Sequence, residues 1–497
     1  MSVRMNVVLI STYELGHQPF GLASPAAWLR ARGFAVKCLD LSREPLGPEA
    51  IREADLVGFY VPMHTATRLA VQLIAPIREL NPHVYLCFYG LYAPVNEDYL
   101  RALGVETIVG GEFEERLAFL ADHLTRRKDA QASGGGIVAG NLAGQTVISL
   151  DRLKFIVPDR SGLPPLHKYA HLVMPDGGRR IAGYTETSRG CKHLCRHCPV
   201  VPVYDGVFRV VPREIVLQDI RQQVEAGAEH ITFGDPDFFN GPAHALSIVE
   251  GLHREFPEVT YDATIKIEHL LHSPMEHLER LRDTGCLFVT SAVESLDDAV
   301  LVRLDKGHTR AEFLVVVERL RSIGLLLQPT FVPFTPWTTL DGFRELLEVL
   351  ATENLIENVA PIQLGIRLLL PAGSRLLDLS EVRELVDSFE PGALAYPWRH
   401  SDPGMDALAV HVQKLAAEGA KLRRSRSETF ALIWQAAGLR FGSEALAAPA
   451  PPTPIPHFSE PWYCCAEPTE DQLACISETE AEPTAVTESE AEADVLS

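Results

Sequence analysis

The sequence has few positive charges and no long apolar run. It contains 45 Lys and Arg residues against 66 Asp and Glu residues, which gives a formal net charge of −21. No apolar run approaches the roughly 20 residues that a membrane-spanning helix needs. An excess of negative charge disfavours nonspecific contact with the phosphates of nucleic acids. We therefore expect a protein that neither crosses a membrane nor binds nucleic acid.

Two further absences concern the ends of the chain. The N-terminus lacks the charged-then-apolar order of a signal peptide, and no Lys or Arg follows Arg440. Nine cysteines, three of them closely spaced, suit a reducing compartment better than a disulfide framework. These features predict a cytoplasmic protein. At 497 residues and 46% hydrophobic composition, the chain is long enough for two or three globular domains.

The most informative segment is a loop with three cysteines. Cys191, Cys195 and Cys198 follow a Thr-Ser-Arg-Gly tetrapeptide in the spacing CxxxCxxC. Three such thiolates can hold three irons of a cubane cluster and leave the fourth iron without a protein ligand. An unfilled position at a metal generally indicates chemistry rather than structure. A zinc site with His193 or His197 as its fourth ligand is an alternative, as are three unrelated thiols, but the spacing favours the cluster.

The CxxxCxxC spacing resembles the signature of the radical S-adenosylmethionine (radical SAM) superfamily. In that family the open iron of a [4Fe-4S] cluster binds the amino and carboxylate groups of SAM, and reductive cleavage yields a carbon radical. The resemblance implies that Cys191, Cys195 and Cys198 are the cluster ligands. It also implies a small-molecule substrate and an electron donor such as flavodoxin or ferredoxin.

The first part of the chain alternates apolar runs with amphipathic stretches, such as Ser24–Arg32 and Thr65–Leu80. This alternation predicts a doubly wound parallel sheet in residues 1–128, similar to flavodoxin and to cobalamin-binding domains. Residues 129–178 are expected to form a linker and an extended lead-in. The five predicted strands are Asn6–Ser11, Ala35–Leu39, Leu56–Val61, Val84–Tyr89 and Thr107–Val109.

A second alternation of strands and helices predicts an α/β barrel of six units in residues 179–386. A partial (β/α)6 barrel is also what the resemblance implies, and the cysteine loop falls after its first strand. A helical extension is expected in 387–446, followed by a proline-rich linker and an acidic tail in 447–497. The predicted strands are Arg180–Thr185, His230–Phe233, Val259–Ile267, Cys286–Val293, Leu325–Pro333 and Ile362–Leu370.

Charged residues at the ends of these strands are candidates for binding SAM. Asp235 lies in a turn where the family contacts the SAM amino group, although an ordinary Asp-Pro turn is the alternative. Lys266 and Glu268 would share one face of a strand, as SAM ligands or as an ion pair. Glu294 resembles the family's residue at the end of the fourth strand. Arg367 is a charge in an apolar strand, so it needs a carboxylate ligand or a neighbouring Asp or Glu.

A doubly wound domain ahead of such a barrel resembles the cobalamin-dependent subclass of the family. The usual cobalt-ligand motif DxHxxG is absent from the first loop, where His17 is the candidate that could replace it. An ordinary solvated histidine is the alternative. Gly110-Gly111-Glu112 ends the fifth predicted strand, where cofactor or substrate phosphates could dock. Cobalamin is thus one expectation, and a domain that serves only as a lid or substrate platform is the other.

The acidic tail contains the island Trp462–Pro468, which includes the vicinal thiols of Cys464 and Cys465. With the loop Gln18–Pro25, it resembles a radical SAM group named for a CCAEP or CUAEP tail. Vicinal thiols are nucleophilic and redox-active, so the tail is predicted to fold back on the active site, with Cys475 as a further thiol. Exposed cysteines without a function are the alternative.

The sequence thus predicts a radical SAM enzyme that modifies a small molecule. Rival hypotheses are a cobalamin-dependent methyltransferase and an enzyme that transfers the aminocarboxypropyl part of SAM to a soft atom such as arsenic. A non-enzymatic rival is an iron–sulfur or thiol carrier protein.

Overall fold

The computed structural model describes residues 5–132, 146–439 and 454–460. Two β-sheets, each covered by helices, dominate this part of the chain. Within the described residues the strands are β1 (Asn6–Ser11), β2 (Ala35–Asp40), β3 (Leu56–Tyr60), β4 (Tyr85–Tyr89), β5 (Thr107–Gly111), β6 (Thr146–Ser149), β7 (His171–Val173), β8 (Arg179–Thr185), β9 (Ser188–Gly190), β10 (Phe208–Val210), β11 (His230–Phe233), β12 (Thr260–Thr264), β13 (Cys286–Glu294), β14 (Leu326–Phe331) and β15 (His457–Phe458).

The helices alternate with these strands along most of the chain. They are α1 (Phe20–Ala31), α2 (Pro48–Arg52), α3 (His64–Gln72), α4 (Ile74–Leu80), α5 (Tyr92–Val95), α6 (Glu97–Ala102), α7 (Glu114–Ala132), α8 (Val201–Tyr204), α9 (Arg213–Glu225), α10 (Pro242–Glu255), α11 (Ile267–His272), α12 (Met275–Asp283), α13 (Asp298–Leu304), α14 (Arg310–Ile323), α15 (Leu340–Thr352), α16 (Ser380–Leu385), α17 (Pro403–Lys421) and α18 (Arg426–Ala436).

The first sheet is parallel, with the strand order β2-β1-β3-β4-β5-β6. Its strands are apolar on both sides because helices cover both faces. In β1, Val7 and Leu9 pack in one core, and Val8 and Ile10 pack in the core on the opposite face. The predicted doubly wound domain is therefore confirmed, with β6 as an additional edge strand.

The second sheet has the order β14-β13-β12-β11-β8-β7-β15 and curls into a half-barrel. Strands β8, β11, β12, β13 and β14 are parallel, and β7 and β15 extend one edge in antiparallel pairing. Side chains alternate along these strands. Ile231 and Phe233 pack in the core on the helix side, whereas Thr232 lines the cavity on the inner side. This alternation places polar groups inside the half-barrel.

Two of the predicted barrel strands need correction. The third strand ends at Thr264 rather than Ile267, since Ile267 already begins α11. Ile362–Leu370 forms no continuous strand: Pro361–Gly365 is a 3₁₀ helix, and a single parallel bridge joins Phe334 to Arg367. Within the described residues the sixth unit of the barrel is therefore reduced to isolated bridges, because proline at the start of the segment favours a turn of helix.

The lead-in is more structured than predicted and lies between the two sheets. It contributes β6 to the first sheet and β7 to the second. Arg160 donates to Gln18 Oε1 (2.8 Å) in the first domain, and it pairs with the buried carboxylate of Asp219 (2.8 Å) on α9. These contacts fix the orientation of the two sheets, although the exact domain boundaries stay a prediction.

The C-terminal region is partly described. Helices α17 and α18 agree with the predicted helical extension. The short strand β15 continues from Pro454–Pro456, where Gln328 donates to the carbonyl of Pro456 (2.7 Å). Cys464, Cys465 and Cys475 lie outside the described residues. Among the residues that are described, no helix is both long enough and apolar enough to cross a membrane.

Candidate active site

A cavity of about 380 Å³ lies between the two sheets. One wall consists of residues that follow β1, β3, β4 and β5, such as His17, Met63, Leu91 and Phe113. The opposite wall is the inner face of the half-barrel together with the cysteine loop. Because both parallel sheets direct their carboxyl-terminal ends at this space, loops from the two domains meet there. The cavity is the candidate active site.

The cysteine loop lines the cavity with all three of its thiols. Cys191 and Cys195 are buried, and Cys198 is half-buried. Gly190 has a φ of +73°, and a Cβ there would lie 2.3 Å from the carbonyl oxygen of Val207. Only glycine fits this position, so the turn into Cys191 requires the Gly that precedes the motif.

The surroundings of the thiols fit an iron–sulfur cluster. Asn240 is fully buried, and its Oδ1 accepts from the backbone N–H of Lys192 (3.1 Å). The Sγ of Cys191 lies 3.9 Å from the same oxygen, while Asn240 Nδ2 has no hydrogen-bond partner among the described residues. A buried amide donor without a partner, next to a thiol, is suited to hydrogen-bond a cluster or thiolate sulfur. The donor set of three thiolates and the free amide agrees with a cluster better than with zinc.

Glu294 is held beside the cysteine loop at the end of β13. Its Oε1 lies 3.0 Å from His197 Nε2 and 3.4 Å from Lys306 Nζ, and all three side chains are buried. Burial alone would raise the pKa of Glu294, but the Lys306 ammonium and the His197 imidazole lower it to about 2. Glu294 also has a φ of +71°, a strained conformation for a residue with a side chain. Such strain is common at functional sites. The role of Glu294 in binding SAM stays a prediction.

Asp235 supports the backbone that leads to the cysteine loop. Its carboxylate accepts from the N–H of Thr187 (2.9 Å), the hydroxyl of Thr187 (2.7 Å) and the hydroxyl of Ser188 (2.6 Å). Burial raises the pKa of Asp235, while these hydrogen bonds oppose the shift. The residue also lines the cavity. Its contact with SAM therefore stays a prediction, in addition to the positioning of the loop.

Lys266 and Glu268 do not share a strand face as predicted. Lys266 precedes α11 and Glu268 lies in the first turn of that helix. The two side chains still form an ion pair, with Lys266 Nζ 3.0 Å from Glu268 Oε2. Lys266 is buried and lines the cavity, while Glu268 is about one-third exposed. The role of both residues in binding SAM stays a prediction. Lys266 is the better candidate because its side chain lines the cavity.

Arg367 was predicted to pair with a carboxylate ligand or with a neighbouring Asp or Glu. In the structure it pairs with a neighbouring Asp. Its guanidinium lies 2.5 Å from Asp406 Oδ1 and packs 3.6 Å from the ring centroid of Trp398. Arg367 is not among the residues that line the cavity. Asp406 of α17 pairs with this charge, and the SAM contact of Arg367 stays a prediction.

His17 lies at the cavity but is enclosed by aromatic rings. It stacks on Tyr184 of β8 at 4.9 Å and meets Phe458 of β15 edge-on at 5.5 Å. Burial lowers the pKa of His17 to about 4, so the ring is neutral at neutral pH. The imidazole thus packs at the junction of three segments, and its predicted contact with cobalt stays a prediction.

Arg189 connects the two domains directly behind the cysteine loop. Its guanidinium lies 2.5 Å from Glu114 Oε1, 3.2 Å from Glu112 Oε2 and 2.8 Å from Glu186 Oε2. Glu112 and Glu114 belong to the first domain and are fully buried, so this one cation joins both domains in a low-dielectric environment. Three aromatic rings lie within 5.6 Å of the guanidinium: Phe20, Phe113 and Phe155.

Glu186 gives the fold a testable pH dependence. Burial, with the nearby charges of Glu114 and Asp235, raises its pKa from 4.5 to about 7, although Arg189 opposes the shift. The folded protein therefore binds this proton more tightly than the unfolded chain. The contribution of Glu186 to stability is fully present below pH 4.5 and is lost as the pH rises through about 7.

We expect Glu186→Gln to weaken this pH dependence. Each unit of raised pKa corresponds to about 1.4 kcal/mol, so the wild-type protein should lose more free energy of unfolding between pH 5 and pH 8 than the variant does, by roughly that amount or more. Urea unfolding at a series of pH values measures the difference. Equal pH profiles for the two proteins would show that Glu186 ionises normally.

Several residues of the site were not found from the sequence. Asn240 and Lys306 follow strands of different units of the half-barrel, and no spacing connects them with the cysteine loop. His197 was considered only as a zinc ligand, and its contact with Glu294 was not predicted. Arg189 is adjacent to the cysteine motif, and Glu112 and Glu114 follow the end of β5. Proximity to the motif, for Arg189, and to a strand end, for the two glutamates, was the signal that the sequence offered. The ion pairs between them join two domains and depend on the tertiary structure.

Comparison with known proteins identifies similar proteins for the region that contains the cysteine loop. Residues 185–349 match the family described as the radical SAM superfamily. Ribosomal protein uS12 methylthiotransferase RimO of Porphyromonas gingivalis is 26% identical over 183 residues, which cover 34% of this chain and 41% of the relative. A tRNA-2-methylthio-N(6)-dimethylallyladenosine synthase of Haemophilus influenzae is 24% identical over 201 residues, covering 38% and 42%. The match thus spans about two-fifths of these relatives.

Solved structures extend the likeness to the first domain. The cobalamin-dependent S-adenosylmethionine radical enzyme OxsB, with aqua-cobalamin and S-adenosylmethionine bound, has a TM-score of 0.64 at 16% identity, covering 87% of this chain and 71% of that one. The radical S-adenosylmethionine methyltransferase TsrM of Kitasatospora setae has a TM-score of 0.55 at 17% identity, covering 70% and 73%. At these identities the likeness establishes a common fold.

Proposed function

We propose that this protein, whose residues 185–349 form a radical SAM domain, cleaves S-adenosylmethionine reductively and modifies a small molecule in the cavity between its two domains. Radical SAM domains are enzyme domains that use a [4Fe-4S] cluster and SAM. The observation that carries the proposal is that all three thiols of the cysteine loop line a cavity that the second sheet and the first domain close from opposite sides.

The residues around the thiols have distinct roles in this proposal. Cys191, Cys195 and Cys198 hold the cluster, which supplies the electron that breaks a carbon–sulfur bond of SAM. The ammonium of Lys306 is buried beside Cys195, Cys198 and Glu294, and it balances their negative charge. The loops of the first domain cover the cavity and restrict access of water. A radical intermediate requires this exclusion of water. The size of the cavity favours a small molecule over a macromolecule.

We also propose that the C-terminal thiols act at this cavity. The described part of the C-terminal segment ends beside it, because His457 and Phe458 line the cavity and Glu460 pairs with Arg43 (3.3 Å). Cys464 is six residues beyond Phe458, which is within roughly 20 Å of extended chain. The segment can therefore bring the two vicinal thiols back to the cavity. Membership in the CCAEP or CUAEP group, and transfer to a soft atom such as arsenic, belong to this proposal.

The tail proposal predicts a specific effect of Cys464→Ala combined with Cys465→Ala. We expect this variant to cleave SAM at a normal rate but to form no modified product. The cluster is intact, whereas the two tail thiols that act at the cavity are missing. Cys475→Ala is the matched control for loss of a thiol in the same tail. A double variant with full product formation would exclude a catalytic role for the pair.

A second candidate function is a cobalamin-dependent reaction, such as a methyl transfer. The arrangement of two facing sheets, which the chain shares with OxsB over 87% of its length, favours it.

Anaerobic reconstitution with iron and sulfide, followed by reduction with SAM, tests the proposal. We expect 5′-deoxyadenosine or methylthioadenosine to form, and methylthioadenosine would indicate transfer of the aminocarboxypropyl part. Incubation with a small-molecule cell extract and SAM labelled separately in its methyl and aminocarboxypropyl carbons identifies the transferred fragment by mass. Absence of both nucleosides would favour the carrier protein, and bound corrinoid in protein from cobalamin-fed cells would favour the second candidate.

A further inference from the structure

A group of potential metal ligands lies in the cavity wall beside the cysteine loop. It consists of His193, Asp237 and His269, whose ligand atoms all lie within 4.8 Å of one another. The three residues come from three different elements: the cysteine loop, the turn after β11 and helix α11. His193 and Asp237 line the cavity. None of them is a ligand of the cluster proposed above.

The geometry of Asp237 is that of a metal ligand held in place by the backbone. Its Oδ1 accepts from the N–H groups of Phe239 (3.2 Å) and Lys266 (3.4 Å). Its Oδ2 is buried and has no hydrogen-bond partner among the described residues, and the side chain is only 3% exposed. The ring nitrogens of His193 and His269 lie 3.5 Å and 2.7 Å from this oxygen, and a buried carboxylate oxygen is costly unless hydrogen bonds or a cation satisfy it.

Both histidines direct a nitrogen to the same oxygen, an arrangement that suits ion pairs or a shared metal ion. His193 Nε2 lies 3.5 Å from Asp237 Oδ2, and His269 Nδ1 lies 2.7 Å from it. Among the described residues, neither nitrogen has a hydrogen-bond partner other than Asp237. Neighbouring ligand atoms around a metal with bonds of about 2.0–2.1 Å are roughly 3 Å apart. The two observed distances lie on either side of that value.

Glu268 is placed to set the protonation of His193. For Nε2 to bind a metal, the proton must be on Nδ1, which lies 3.6 Å from Glu268 Oε2. Lys266 Nζ lies 3.0 Å from this Nδ1 and 3.0 Å from Glu268, so metal binding through Nε2 requires Lys266 to donate to Glu268 alone. Glu268 is then the carboxylate that Nδ1 can reach after a small movement, in the position of the usual outer contact of a metal-bound histidine.

We infer that His193, Asp237 and His269 bind one divalent first-row transition-metal ion in the cavity wall, at a site separate from the cluster. Two imidazoles and one carboxylate suit ions such as Zn²⁺ or Fe²⁺, whereas Ca²⁺ and Mg²⁺ prefer all-oxygen sites. Three protein ligands leave a coordination position for water or for an oxygen of a molecule in the cavity. The site does not depend on the proposed radical chemistry.

Zinc is a suitable probe because it is redox-inactive and distinct from the cluster iron. The full-length protein with its cluster reconstituted receives one equivalent of Zn²⁺ and is freed of excess metal by gel filtration. Mass spectrometry gives the zinc content, and zinc-edge X-ray absorption gives the ligands. We expect about one zinc per chain with nitrogen or oxygen ligands near 2.0 Å and no sulfur near 2.3 Å.

Variants assign the zinc to these residues. We expect Asp237→Asn and His269→Ala to reduce zinc affinity at least about 100-fold, and Glu268→Gln to reduce it about 10- to 100-fold, as outer contacts of metal sites do. His272→Ala is the matched control, since His272 is an exposed histidine on the same helix. Iron content and circular dichroism check that each variant retains its cluster and fold.

The outcomes separate this inference from the proposed function. Zinc bound by nitrogen and oxygen in a protein that does not cleave SAM supports the metal site and contradicts the proposed function. Zinc bound by sulfur, as expected if the tail or cluster cysteines took it up, overturns the inference. A folded, cluster-containing protein that retains no zinc overturns it as well, and so does unchanged affinity in Asp237→Asn.

Discussion

Cys195→Ala should abolish reductive cleavage of SAM. The substitution removes one of three thiolates that line the cavity, and a cluster with two protein ligands is not retained stably. Enzymes accelerate their reactions by about 10⁶-fold or more, so formation of 5′-deoxyadenosine or methylthioadenosine should fall to the detection limit. Chromatography of the nucleosides, iron content and the visible absorption of the cluster measure the effect.

Cys286→Ala is the matched control for this experiment. Cys286 is a buried free cysteine at the start of β13, outside the cysteine loop. Its loss should leave iron content and SAM cleavage close to those of the wild type. If Cys195→Ala retained both its cluster and its activity, the assignment of the three thiols as ligands would be wrong. Equal loss in both variants would indicate that the effect comes from destabilisation.

Arg189→Met should be the most destabilising of the substitutions considered. Methionine keeps an apolar chain among the aromatic rings but leaves Glu112, Glu114 and Glu186 without their shared cation. Removing one partner of a buried ion pair costs about 3–5 kcal/mol, because the remaining charge is uncompensated. Urea unfolding near neutral pH measures the decrease in the free energy of unfolding.

Two comparisons make this second prediction specific. Arg221→Met removes a solvent-exposed Arg–Glu pair, and its effect on the free energy of unfolding should be much smaller than that of Arg189→Met. The cost of Arg189→Met should also shrink as the pH falls, since protonation removes the uncompensated charges. A loss below about 1 kcal/mol for Arg189→Met, as expected for an exposed pair, would contradict the proposed interdomain role.

Local patterns predicted most of the secondary structure. Strand β1 was predicted with its observed bounds, and β11 likewise, because apolar runs bounded by turns identify buried strands in a parallel sheet. The segment Ile362–Leu370 looks similar but has no parallel neighbour beyond one bridge. Strand formation there depends on pairing partners, which are distant in the sequence and leave no local signal.

The residues of the candidate site also divide into those that a local pattern predicts and those that only the tertiary structure brings together. Cysteine spacing alone predicted Cys191, Cys195 and Cys198 as one group, and all three line the same cavity, because they lie on one short loop whose spacing a linear pattern records. Lys306 and Asn240 approach the same loop from separate units of the half-barrel, with no common motif. Arg367 illustrates a third case, because its charge in an apolar segment indicated a partner, and the tertiary structure places Asp406 of α17 beside it.

The sequence by itself determined the α/β order of the chain and its match to radical SAM proteins around the cysteine loop, and it predicted the three cysteines as cluster ligands. These features depend on periodicity and short spacings, which the chain carries locally. Only the tertiary structure brought Arg189 to the glutamates of the first domain and His269 to His193 and Asp237. Charges and metal ligands that meet across elements are selected by burial and distance in three dimensions, and the sequence records neither.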